Sequence, residues 1–128
     1  MILLIDTSTA TCKLTIVRRG VRTEHTWEAG RDMARGLLEF IVQTLEIYDE
    51  RVNSLQGIGV FRGPGSFTGL RIGVTTANTL AHFAQIPLVG TTGASWQDEA
   101  AAALGAGRDD RQVVPEYGRE ARITQPRK

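Results

Sequence analysis

The 128-residue sequence predicts an α/β fold, a single mixed five-stranded sheet with its helices in the order βββαβαβα. Three observations predict it. A short, continuously apolar run opens the chain, as in a strand buried on both faces. Two stretches with period-two alternation follow it directly. The period then changes to that of a helix and alternates with further short apolar runs.

Residues 2–5 are all apolar and are stopped by Asp6-Thr7-Ser8-Thr9, which makes them a central strand ending in a polar loop. Residues 12–19 and 21–27, separated by Gly20, form a hairpin. In residues 31–48, Ala34, Leu37, Leu38, Ile41, Leu45 and Tyr48 recur at helical spacing, with Asp32 placed to cap the start. Residues 57–61 are a fourth strand, after which Gly63-Pro64-Gly65-Ser66 breaks the chain. A second helix over 67–84, a fifth strand over 87–89 and an Ala-rich helix over 91–104 complete the set. From residue 106 onward ten of twenty-three residues are charged and the apolar ones have no period, so this tail is expected to be extended or disordered. No internal repeat at solenoid spacing is present.

Composition narrows the function. With 41% hydrophobic and 23% charged residues the chain suits one globular domain. A net charge of +1 is too balanced for a protein whose main task is to coat phosphate backbones. The single cysteine, Cys12, cannot close an internal disulfide and is expected to be an inert core thiol. The N-terminus has no basic region and too short an apolar run for a secretory signal, so a cytoplasmic protein with no membrane role is expected.

The densest motif is Gly63-Pro64-Gly65-Ser66-Phe67-Thr68-Gly69-Leu70-Arg71-Ile72-Gly73, between a strand and a helix. It fails as a Walker A loop, because the lysines are Lys13 and Lys128 and neither belongs to it. It also fits the dinucleotide fingerprint poorly. The glycines around Pro64 suit a tight strand-to-helix turn, while Ser66, Thr68 and the first helical amides form a positive pole able to hold an anionic group. Asp6, with Thr7 and Ser8, stands at the end of a central strand, where α/β folds bind ligands; capping the following turn is its other use. His25 and His82 lack ligand-like neighbours in sequence and are expected to be structural or surface residues, with no metal or cofactor bound. Ser66 and His82 stand about four helical turns apart, too far to act as a nucleophile and base pair.

In the second helix Gly69, Gly73, Ala77 and Ala81 recur every four residues, a small-residue ridge that wants a close packing contact. That contact is either the chain's own sheet or another chain. The first helix has an apolar arc spanning about half its circumference, wider than the roughly 100° stripe one sheet requires. A helical protein interface is therefore expected, drawing on Met33, Leu37, Phe40, Ile41 and Ile47 of the first helix and Gly69, Gly73, Ala77, Leu80 and Ala81 of the second.

Ile5-Asp6-Thr7-Ser8-Thr9 together with the long motif closely resembles the TsaB (YeaZ) family, tRNA threonylcarbamoyladenosine biosynthesis proteins grouped with the M22 glycoprotease-like proteins. The long motif is highly specific; the first is shared across the actin-like, sugar-kinase and Hsp70 superfamily. Similarity extends over about residues 1–100, through Leu37-Leu38, Asn53-Ser54-Leu55 and Ile86-Pro87. The resemblance implies an actin-like, ribonuclease H-like (ASKHA) lobe over residues 1–105 and a tail over 106–128. It implies a non-catalytic scaffold or activator that binds a TsaD-type catalytic subunit through its first two helices, with a TsaE-type ATPase in the complex. It further implies a homodimer when that partner is absent, and contact with tRNA only through the complex. Arg71 and the loop from Gly63 to Thr68 would lie near the junction. Two departures stand out: Met33-Ala34-Arg35 replaces the family's His-Ser-Glu, and no second lobe follows. Pro115-Glu116-Tyr117-Gly118-Arg119 resembles the end of longer members, which fits an internal deletion. The competing readings are an independent nucleotide-binding or hydrolytic enzyme using Asp6 and the Ser66/Thr68 loop, and a stand-alone regulatory homodimer.

Overall fold

A computed structural model describes residues 1–117. Its elements are β1 (Ile2–Asp6), β2 (Thr11–Arg18), β3 (Val21–Glu28), α1 (Met33–Ile47), β4 (Gly57–Phe61), α2 (Phe67–Ala84), β5 (Leu88–Thr91) and α3 (Trp96–Gly105), the expected order. The sheet runs β3-β2-β1-β4-β5. β1, β2 and β3 pair antiparallel, and β1, β4 and β5 pair parallel.

The central position of β1 follows from its sequence, since Leu3, Leu4 and Ile5 are all fully buried and alternate between two cores. Leu3 and Ile5 join Leu14, Ile16, Ile58, Val60 and Leu88 beneath α1 and α2. Leu4 joins Val89 beneath Trp96 and Ala100 of α3. At Gly59 a side chain would meet Leu4 and the methyl of Ala100, so the glycine in β4 lets α3 press onto the sheet.

Three boundaries differ from expectation. A 3-10 turn at Gly30–Asp32 precedes α1, and Asp32 pairs with Arg35 instead of capping the helix with its side chain. β5 continues to Thr91, whose hydroxyl donates to the carbonyl of Trp96. α3 therefore starts only at Trp96, after Gly93 at φ +84°. Residues 106–117 hold neither helix nor strand and lie against the lobe, with Val113 buried; the rest of the expected tail, 118–128, lies outside the described residues.

Candidate functional site: the motif loop and the outer face of the first two helices

The two sequence motifs meet at the C-terminal ends of β1 and β4. Asp6 Oδ1 accepts the Ser8 amide at 2.9 Å, and Ser8 in turn accepts the Ser66 amide on its carbonyl at 3.0 Å. Ser66 is the N-cap of α2, its hydroxyl accepting the Gly69 amide at 3.2 Å. Thr7 donates its hydroxyl to the Gly69 carbonyl at 2.6 Å. A side chain at Gly65 would run into Ser8, and one at Gly69 or Gly73 into Thr7. The glycines are needed for this close approach of the helix start to the end of β1.

This geometry corrects part of the expected site. Thr7 is fully buried with its hydroxyl engaged, so it does not face a ligand. Asp6 and Ser8 are half-buried and bound into the turn, and the exposed Ser66 hydroxyl accepts the Gly69 amide as the helix cap. Pro64, Gly65, Phe67, Thr68 and Arg71 are exposed, and Gly63 is buried. Arg71 lies over the Phe67 ring, 5.7 Å from its centroid.

The small-residue ridge faces inward. Gly73, Ala77 and Ala81 are buried and Gly69 is half-buried, the ridge beginning against Thr7 and continuing into the core under α2; Leu80 is buried with them. Met33, Leu37 and Ile41 are likewise core residues, joined by Leu45. None of these seven expected contact residues, Met33, Leu37, Ile41, Gly73, Ala77, Leu80 and Ala81, presents a surface, because the sheet already occupies them. Phe40 is half-buried against Trp27, their centroids 5.6 Å apart, while Ile47 is 68% exposed.

The outward surface is one position over. Ala34, Leu38 and Val42 form an exposed stripe along α1, with Leu38 52% and Val42 41% exposed. Beside it a shallow groove of about 440 Å³ is lined by Ala34, Thr68, Arg71, Ile72, Thr75 and Thr76. Phe83 near the end of α2 is 80% exposed. The signal for Leu38 and Val42 was present: apolar stripes at 33/37/41 and 34/38/42 lie side by side, and only the packing shows which one the sheet takes.

The remaining candidates are quiet. His25 Nε2 lies 2.6 Å from the Tyr48 hydroxyl, the rings meeting edge-on, and His82 is exposed in the last turn of α2. Ser66 and His82 lie at opposite ends of that helix. Cys12 is buried, and its thiol is pushed up to about 12 by desolvation and, secondarily, by the nearby Asp6 carboxylate. Among the described residues no three His, Cys, Asp or Glu side chains gather as metal ligands, and no helix is long and apolar enough to cross a membrane.

Known proteins resemble this chain in both sequence and fold. The family model "TsaD: tRNA N6-adenosine threonylcarbamoyltransferase" matches residues 24–97. The tRNA threonylcarbamoyladenosine biosynthesis protein TsaB of Haemophilus influenzae is 34% identical over 88 residues, 69% of this chain and 37% of the relative. TsaB of Escherichia coli is 32% identical over 91 residues, 71% of this chain and 39% of the relative. The chain belongs to the TsaD/TsaB family, on its TsaB (YeaZ) side. TsaB of Bacillus subtilis is 36% identical over 88 residues, 68% of this chain and 38% of the relative. The structure of YeaZ from Pseudomonas aeruginosa superposes with a TM-score of 0.66 at 30% identity, covering 71% of this chain and 43% of that one. The α/β sheet with three helices is thus the actin-like (ASKHA) lobe of YeaZ. The chain spans about two fifths of the length of the TsaB relatives it matches, 37–39%.

Proposed function

We propose that this chain is a non-catalytic scaffold and activator in tRNA threonylcarbamoyladenosine synthesis, docking on a TsaD-type catalytic subunit through the outer face of α1 and α2. The observation that carries the reading is the exposed Ala34, Leu38 and Val42 stripe beside the α1–α2 groove. A row of aliphatic side chains left in water on a helix already packed to a sheet is a natural seam for further helices. Burying it against a partner supplies the driving force, and the Arg71 guanidinium and the α2 threonines bordering the groove supply polar register. Met33-Ala34-Arg35 replaces the family's polar triplet, and its exposed members Ala34 and Arg35 would make this contact less polar at Ala34 and more basic at Arg35.

Support for a non-catalytic role comes from the motif loop. The Thr7 hydroxyl is buried in a bond to the Gly69 carbonyl, Asp6 Oδ1 accepts the Ser8 amide and the Ser66 hydroxyl accepts the Gly69 amide, so these three groups serve the geometry of the joint between the β1 end and α2. A TsaE-type ATPase and tRNA would join through the complex, in the cytoplasm, and a second copy would take the same face when the catalytic subunit is absent.

The deciding experiment is co-purification of the tagged full chain with the TsaD homologue of the same organism, beside a chain carrying Leu38→Glu and Val42→Glu. Association lost in the double variant supports the reading. No association of the unaltered chain, or association that survives both glutamates, overturns it. Nucleotide hydrolysis by the purified chain, abolished by Asp6→Asn, would favour the enzyme reading instead.

A further inference from the structure

β5 is the outermost strand beside β4, so the backbone groups of Leu88 and Gly90 that point away from β4 face no strand. They are instead taken by the segment after α3. The Asp110 amide donates to the Leu88 carbonyl at 2.7 Å, and the Leu88 amide donates to Asp109 Oδ1 at 3.1 Å. The Gly90 amide donates to Asp110 Oδ2 at 3.0 Å, and Arg108 Nη2 donates to the Gly90 carbonyl at 3.4 Å. Two aspartate carboxylates thus stand in for the carbonyl oxygens that an added strand would offer.

The same segment is fastened further along. Val113 is buried, fitting over Gly90 where a side chain would collide with it. Its amide and carbonyl are both clamped by the Asn78 side chain, at 2.9 and 2.8 Å. The Glu116 amide then donates to the Arg62 carbonyl at 2.6 Å, and Tyr117 stacks on Phe67 of the motif with centroids 4.3 Å apart. One segment therefore closes both the sheet edge and the flank of the motif loop.

We propose that residues 108–117 form a detachable strap that opens as a unit, turning β5 into an acceptor edge for the same strap of a second copy of this chain. Three features point to opening without loss of the fold. The strap joins α3 through Gly105-Ala106-Gly107, with Gly107 at φ +88°, a hinge of small residues. Its one buried apolar anchor is Val113; Tyr117 is only half-buried against the exposed Phe67, and the rest of its hold is polar and near the surface, the composition of a low-stability unit. The strand beneath keeps its own pairing with β4 from Leu88 to Thr91 when the strap is gone. A second copy is the fitting occupant because its strap carries the residue pattern that already matches β5 group by group, the condition for exchange of an identical element.

Amide hydrogen exchange on the full chain tests this. The Leu88 and Gly90 amides are expected to exchange about a hundredfold faster than Ile58, whose amide is held by the Pro87 carbonyl in the sheet. In Val113→Asp they are expected to lose protection altogether. A synthetic peptide of residues 108–117 should then restore it in the variant while leaving the unaltered chain unchanged. Should Val113→Asp fail to fold, Asn78→Ala removes the clamp from outside the strap. Equal exchange of Leu88, Gly90 and Ile58 in the unaltered chain would overturn the proposal, as would a peptide that restores nothing.

Discussion

The hydroxyl of Thr7, just beyond β1, donates a 2.6 Å hydrogen bond to the carbonyl of Gly69 in the first turn of α2, and Gly73 one turn later leaves room for the Thr7 side chain. The two residues bring the two family motifs into one joint. The first motif supplies a buried donor, and the second supplies an acceptor and the absence of two side chains. Thr7→Val keeps the shape but removes this second hydrogen bond to a carbonyl that the helix already uses, which should lower stability by about 0.5–1.5 kcal/mol. Gly73→Ala keeps the bond partner but forces a methyl into Thr7, which should cost about 1–3 kcal/mol by overpacking. Urea titration of both variants checks this, and unchanged midpoints would show that the joint is not structural.

Cys12 gives a prediction about pH. Its thiol is pushed up from an ordinary 9.0 to about 12, first by burial and then by Asp6. A raised acid favours the folded state while the group is protonated. The contribution is therefore complete below about pH 9 and is lost as pH rises from there toward 12. At pH 8 the thiol in the fold is protonated and buried, so a disulfide reagent should modify Cys12 only as fast as the chain opens. Cys12→Ala should flatten the alkaline loss of stability; a loss unchanged by that substitution would assign it to other groups.

The element order was legible because period-two and period-3.6 patterns do not overlap in residues 2–61, and turn residues punctuate each change. What periodicity could not tell is which side of a wide arc the sheet takes. Leu37 and Leu38 are adjacent, both apolar and both helical, yet one is 1% and the other 52% exposed. The strap was illegible for a different reason. Its hold rests on Asp109, Asp110 and a single Val113 reaching residues some twenty to thirty-five positions back, and a charged segment without apolar period gives no local sign of such contacts. Asn78, whose side chain clamps Val113, is one of several polar residues of α2 and gave no sign of that role.

The Arg108 guanidinium holds the Asp110 carboxyl below its ordinary 3.8 by hydrogen bonding; partial burial opposes this, and the Gly90 amide and the charges of Arg108 and Arg62 add to it. A lowered carboxyl favours the closed strap when ionised. The contribution is present above pH 3.8 and is lost as pH falls through the lower folded value. Carbon-detected titration of Asp110 should give a midpoint under 3.8 that moves up toward it in Arg108→Gln. A midpoint insensitive to Arg108 would show that the pair does not form in solution.

Neighbouring leucines separate the fold from the proposed seam. Leu37 is buried in the main core, so Leu37→Ala should cost about 2–5 kcal/mol through lost burial and the cavity left behind. Leu38 and Val42 lie outside that core, and Leu38→Glu with Val42→Glu should change stability by no more than about 0.5 kcal/mol for each site. Thermal melts of the isolated chain measure both. The contrast makes the partner experiment interpretable, because a chain that melts normally yet fails to bind has lost a surface and not a fold. If the double variant melts as low as Leu37→Ala, then Leu38 and Val42 belong to the core of the protein in solution, and the outer face of α1 is not free to receive a partner.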